Sequence, residues 1–256
     1  MNCVPITEIF PNPTVKQVIF EIRYPNLFFL ENKIGDLQQK IMGEFPKSAL
    51  LFRRQIVLAD VGPQGKLEEI SGKFDEMGSK KIWQFQSNKG YKLNISTNSL
   101  DITSEYHKTY NLGSGDRFRE VIKNALDNFF ELTMIPTVTR IGLRYVDECP
   151  IPNKTNRTFK RYYKSVFPIE RFNLAQSEEM FFRTVTTKDN LGLIYMETLA
   201  KVQDKYKLVL DFDGFATNVS SPECLATTDK LHDLIVKEYE NTIKEPVYEY
   251  MRQRRD

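Results

Sequence analysis

Charged residues recur two or four positions apart in three otherwise apolar stretches, the spacing that collects charge on one face of a β-strand. They are Glu21 and Arg23 in Val18-Ile19-Phe20-Glu21-Ile22-Arg23-Tyr24, Arg140 and Arg144 in Arg140-Ile141-Gly142-Leu143-Arg144-Tyr145, and Asp211 and Asp213 in Leu210-Asp211-Phe212-Asp213. If the first two strands are neighbours, Glu21 neutralises one arginine. The remaining guanidinium groups can then hold a phosphate or carboxylate through forked hydrogen bonds. Gly142, between two arginines, leaves room for such a ligand to approach the sheet. The ligand-binding set expected on this basis is Glu21, Arg23, Arg140 and Arg144. The simpler reading of the same residues is a structural ion pair under a helix or loop, with Gly142 at a bulge.

Other chemistry is thinly represented. Asp211 and Asp213 on one strand face can share a Mg²⁺ ion with a substrate phosphate, but no motif places a third acid, and no metal site is expected. They serve equally as the solvent face of an antiparallel strand. His232 sits beside a helical stripe of Leu231, Ile235 and Tyr239, as a packed histidine does, and a catalytic pairing with Asp211 or Cys224 has no support. His107, in Glu105-Tyr106-His107-Lys108, reads as a surface residue at a strand end. The chain has no phosphate loop, dinucleotide fingerprint or nucleophile elbow, so no catalytic set and no cofactor is expected. The segment Arg157-Thr158-Phe159-Lys160-Arg161-Tyr162-Tyr163-Lys164 mixes cations with stackable rings. It nominates Lys160, Arg161, Tyr162 and Lys164 for single-stranded nucleic acid. An amphipathic helix with snorkelling lysines gives the same pattern.

Composition narrows the setting. Lys and Arg number 36 against 34 Asp and Glu, a formal charge of +2, which speaks against a dedicated nucleic-acid coat. No apolar run approaches the length of a spanning helix and no secretory signal opens the chain, so no membrane association is expected. Three cysteines without close spacing suggest a reduced, cytoplasmic setting rather than a disulfide scaffold.

The elements that must position these residues follow from periodicity. Period two predicts strands over about 18–24, 52–59, 82–86, 91–96, 100–109, 138–148, 180–187, 191–200 and 206–215. Period 3.6 predicts a helix over 27–45 with Asn26 as its cap and Leu30, Ile34, Leu37 and Ile41 as its stripe. A second runs over 116–134, with Phe118, Val121, Ile122, Leu126, Phe129 and Phe130 on one face. A short helix over 158–167 is expected, and a last one from Ser221-Pro222-Glu223 to about 245, where Pro246 interrupts it. The stretch 62–81 reads as a Gly-rich loop, and Arg252-Gln253-Arg254-Arg255-Asp256 as a frayed basic tail.

The expected class is α+β, mainly antiparallel sheet with packed helices. Residues 1–135 and 136–256 form two halves of strand, helix, strands and helix, fused into one unit. The halves share a local match, Phe20-Glu21-Ile22-Arg23-Tyr24 over Ile141-Gly142-Leu143-Arg144-Tyr145, which suggests an internal duplication.

These strings, with Trp83-Gln84-Phe85 and Leu231-His232, resemble a sporadically distributed bacterial family of unknown function over most of the chain. Where that family favours Glu-Ala before the first strand, this chain has Lys16-Gln17. The resemblance implies an architecture but no reaction, and its patchy occurrence is like that of genes in mobile or defence-associated loci. The function expected is that of a non-enzymatic binding or regulatory protein. It would recognise a protein partner, a second copy or nucleic acid within a bacterial defence or mobile-element system. The alternative is a small-molecule protein or enzyme built on the arginine-lined site.

Overall fold

Alternating apolar and polar residues build most of the molecule. The structure, a computed structural model, describes residues 8–53, 80–113, 115–202 and 205–254. Nine strands form one antiparallel sheet: β1 (Val15–Arg23), β2 (Lys47–Arg53), β3 (Lys80–Gln86), β4 (Lys92–Ser96), β5 (Ser99–Ser104), β6 (Thr137–Cys149), β7 (Met180–Lys188), β8 (Leu191–Val202) and β9 (Lys205–Ser220). The helices are α1 (Leu30–Ile41), α2 (Phe118–Thr133), α3 (Asn156–Tyr162), α4 (Cys224–Thr242) and α5 (Glu245–Arg252). The α+β class expected from the sequence is what is found. Among the described residues no helix is long and apolar enough to cross a membrane.

Across the sheet the order is β2-β3-β4-β5-β1-β6-β9-β8-β7. Each half of the chain lays its first strand at the centre, crosses through a helix to an outer edge, and returns by a meander to the flank of that first strand. The two halves therefore wind alike, with one extra strand in the first, and meet where β1 pairs with β6.

One face of the sheet carries the core. Val18, Phe20 and Ile22 of β1, Ile141, Leu143 and Tyr145 of β6, and Leu208, Leu210 and Phe212 of β9 are buried on it. They pack under Leu30, Leu37 and Ile41 of α1, Phe118, Ile122 and Phe129 of α2, and Leu231 and Ile235 of α4. Each such side chain contributes roughly 1.5–3 kcal/mol on burial. The alternate residues of the same strands, Glu21, Arg23, Arg140, Arg144, Asp211 and Asp213, face the other way. Among the described residues no helix lies over them.

Several boundaries differ from the periodic reading, each for a local reason. Asn26 does not cap α1: its carbonyl accepts from the Thr97 hydroxyl, and the helix starts at Leu30 after an uncapped Phe29. β2 begins at Lys47, because pairing with β3 extends an edge strand through residues with no apolar period. β5 stops at Ser104, whose hydroxyl accepts from the Tyr106 and His107 amides and turns the chain. α3 starts two residues earlier than expected, at Asn156, with Thr155 capping the Thr158 amide. It ends before Tyr163, which is extended and bridges to Ile243. Pro246 does not interrupt a helix but opens α5, in whose first turn its missing N–H is harmless. Arg252 belongs to α5 and pairs with Glu8 and Glu245 rather than fraying. Residues 54–79, holding the end of the expected 52–59 strand and most of the Gly-rich loop, lie outside the described residues, as do Arg255 and Asp256.

Candidate functional site

The uncovered face brings the predicted arginines and acids together. In the β1–β6 register Glu21 lies opposite Gly142 and Arg23 opposite Arg140, while in the β6–β9 register Arg144 lies opposite Asp213. Diagonal reach across these pairs closes a network. Arg140 donates through Nη1 to Glu21 Oε2 at 2.8 Å and through Nη2 to both Asp213 oxygens at 2.9 and 3.0 Å. Arg23 Nε donates to Glu21 Oε1 at 3.0 Å, and Arg144 forks Asp211 through Nε at 2.8 Å and Nη2 at 2.5 Å. Burial raises the pKa of Asp213 above the usual carboxylate value although Arg140 and Arg144 draw it down, and the neighbouring Asp211 adds to the rise. The Asp211 hydrogen bond raises that of Arg144.

Gly142 has a different task from the one expected. The pairing with β1 runs through it without a bulge; the register shift in that pair lies at Val15 and Gln17. A Cβ built on Gly142 would stand 2.5 Å from Arg140 Nη1 and 3.1 Å from its Cζ. The glycine therefore makes room for the chain's own guanidinium group rather than for a ligand. Arg140 also lies 5.5 Å from the centre of the Phe215 ring, which in turn covers the space above Gly192.

All four residues of the predicted ligand set line one cleft of about 620 Å³, together with Gln84, Asn94, Asp101 and Asp213. Within it Gln84 donates to Asn94, and Asn94 to Asp101, at 2.9 and 2.8 Å, which carries the polar ladder across β3, β4 and β5. Three arginines face three carboxylates in the central network, so its charges balance and an incoming anion meets as many carboxylates as guanidinium groups. Asp211 and Asp213 are turned to different arginines. Among the described residues no group of three or more His, Cys, Asp or Glu is placed to hold a metal ion.

The basic-aromatic segment is separate from this cleft and lies on the helix side. Phe159 and Tyr163 are buried and Tyr162 is half-buried, so the rings point into the core. Lys160 pairs with Glu170, while Arg161 and Lys164 are exposed. The arrangement is that of an amphipathic helix with its cations at the rim.

His107 is buried and His232 half-buried. His107, expected at the surface, is 2% exposed because the turn at Ser104 swings it beneath the sheet end. Its Nδ1 lies 2.8 Å from Ser104 Oγ, its ring packs among Tyr91, Tyr106 and Phe118, and burial lowers its pKa to about 4. His232 stacks on Tyr110 with ring centres 4.3 Å apart, and its Nδ1 lies 3.3 Å from the Tyr145 hydroxyl; burial lowers its pKa to about 4 as well. Asp147 escaped the sequence reading altogether. Period two puts it on the face of Ile141, Leu143 and Tyr145, and an acid on the core face of a strand is the signal that marks it.

No protein-family profile, no curated protein and no solved structure matches the chain.

Proposed function

We propose that this is a non-enzymatic binding protein that docks another protein on the uncovered face of its sheet. The observation that carries the reading is a nine-stranded sheet with helices on one face and, on the other, a central ion-pair network that is neutral in itself. Beside that network the face turns apolar. Phe181 and Val185 of β7 are 60% and 47% exposed, next to the half-buried Ile194 and Met196 of β8. Arginine, aromatic and methionine side chains are enriched at protein interfaces, and this face presents all three. Nucleic acid has less support, because phosphate binding draws on unneutralised cations and the arginines here already hold carboxylates. The same neutralisation counts against the cleft as an anion site.

The register supports an internal duplication as the origin of the platform. The local sequence match places Glu21 over Gly142, and the pairing sets those same two residues face to face. A pair on the two-fold axis of two like halves must have this property.

The test is a photo-crosslinking amino acid placed at Val185, or at Lys123 on the far side as control, with the full chain expressed in its native cell. The reading predicts a nuclease-resistant protein adduct from position 185 that disappears when Phe181→Asp is added, and no matching adduct from position 123. A nuclease-sensitive adduct, equal labelling from both positions, or none from either overturns it.

A further inference from the structure

Behind the arginines, on the core side of β6, a cavity of about 260 Å³ lies between the sheet, α4, the segment 8–15 and the loop 108–112. Asp147 lines it and is 2% exposed. Its Oδ1 accepts from Thr14 Oγ1 at 2.7 Å, and Thr14 Oγ1 lies 2.6 Å from the Tyr239 hydroxyl. Tyr239 therefore donates to Thr14 and Thr14 to Asp147, so one neutral hydroxyl is all that faces the carboxyl group in this chain of bonds. Among the described residues no cation lies within ion-pair distance of Asp147. Lys108, at the cavity wall, donates to the Glu105 carbonyl at 2.6 Å. The rest of the lining is dominated by Phe10, Tyr110, Tyr145, Tyr239 and Met251.

Three classes of occupant can be compared. An anion is repelled by Asp147. A purely apolar molecule leaves the carboxyl group with its single donor. A cation gains both the carboxylate and the ring faces, which attract positive charge by their quadrupoles. The volume corresponds to about nine waters, the size of a molecule of roughly ten non-hydrogen atoms.

We propose that this cavity binds a small organic ammonium ion, with Asp147 as its counter-ion and the tyrosine rings around its apolar part. The site is independent of the docking face and stands or falls separately from it. Burial pushes the Asp147 pKa up to about 7, and an ammonium ion at the carboxyl group draws it down again. The charged and titratable groups around it are Tyr145 on its own strand, His232, Asp233 and Tyr239 on α4, Glu8 before β1, Lys108 and Tyr110 on the loop, and Asp211 across on β9. His232, lowered to about 4 by burial, stays neutral over the range that matters.

The test is calorimetric titration and thermal melting of the full chain with phenethylamine and n-butylamine, each against its alcohol of the same size. Both amines remain protonated between about pH 5 and pH 8, so the pH dependence reports the protein. The expected result at about pH 8 is that at least one amine binds and raises Tm, with its alcohol weaker by tenfold or more. Affinity falls by more than tenfold at about pH 5, where Asp147 is protonated. In Asp147→Asn the preference for amine over alcohol is lost. Should that variant fail to fold, the pH comparison on the native chain decides. No shift with either amine, equal binding of amine and alcohol, unchanged affinity between the two pH values, or full binding by a folded Asp147→Asn overturns the proposal.

Discussion

Replacing Arg140 by Met removes the cation at the centre of the uncovered face while keeping an apolar stem of similar length. Arg140, Glu21 and Asp213 are only 20%, 24% and 20% exposed, so the two pairs are partly shielded from water. A unit-charge pair at such a boundary attracts by about 4 kcal/mol, most of which is offset by desolvation of the ions. Taking away one partner leaves the desolvation without the attraction, which costs about 3–5 kcal/mol for fully buried pairs. Because Glu21 keeps Arg23 and water reaches all three groups, about 2–3 kcal/mol is expected here at neutral pH. The loss must depend on pH. Asp213 already has a raised pKa from burial, held in check by Arg140. Without that arginine the folded protein binds a proton that the unfolded chain has released, so stability falls as pH rises. Urea denaturation should therefore show a deficit that is largest near about pH 7.5 and shrinks toward about pH 4.5. The triple substitution Glu21→Gln, Arg140→Met and Asp213→Leu should return to within about 1 kcal/mol of the native chain, since no buried charge is left alone. A deficit below about 0.5 kcal/mol, or one that does not change with pH, refutes this account of the network.

Two further perturbations test neighbouring features. Gly142→Ala drives a methyl group to 2.5 Å from Arg140 Nη1 and lifts the guanidinium group from its acids, which should cost about 1 kcal/mol. In an Arg140→Ala background the same change should be neutral or stabilising, so a double-mutant cycle by urea denaturation reads the contact directly. Asp229 accepts from Arg119 Nε and Nη2 and from the Tyr110 hydroxyl, all at 2.8 Å, and joins α2 to α4. Burial works to raise its pKa, but the bonds from Arg119 and Tyr110 prevail and hold it below the usual carboxylate value. Asp229→Ala should thus cost about 1–2 kcal/mol at neutral pH. That deficit should vanish on strong acidification, as the native chain loses the bonded carboxylate, and pH-resolved denaturation checks it.

Much of the architecture is legible in local pattern because a buried sheet face imposes period two and a packed helix period 3.6. Val18, Phe20 and Ile22 announce β1, and the Phe118 to Phe129 stripe announces α2, before any tertiary contact is known. The candidate residues on the uncovered face are legible for the same reason: charges that alternate with core residues must share the other face. Where the pattern misled, a single contact intervened, distant in one case and local in another. Asn26 is a good helix cap in isolation but bonds to Thr97 instead. His107 sits among charged neighbours, yet the turn at Ser104 carries it inside. Asp147 carried a signal that polarity alone obscured.

By itself, then, the sequence determined most of the elements, the α+β class and the sorting of arginines and acids to one side of their strands, because these depend on spacing along the chain. Which acid meets which arginine, that Gly142 shelters Arg140, that no helix among the described residues covers the platform and that Asp147 ends in a tyrosine-lined cavity were decided only by the tertiary structure. Those properties depend on register and on what packs across the sheet, and residues 67 to 133 positions apart set both.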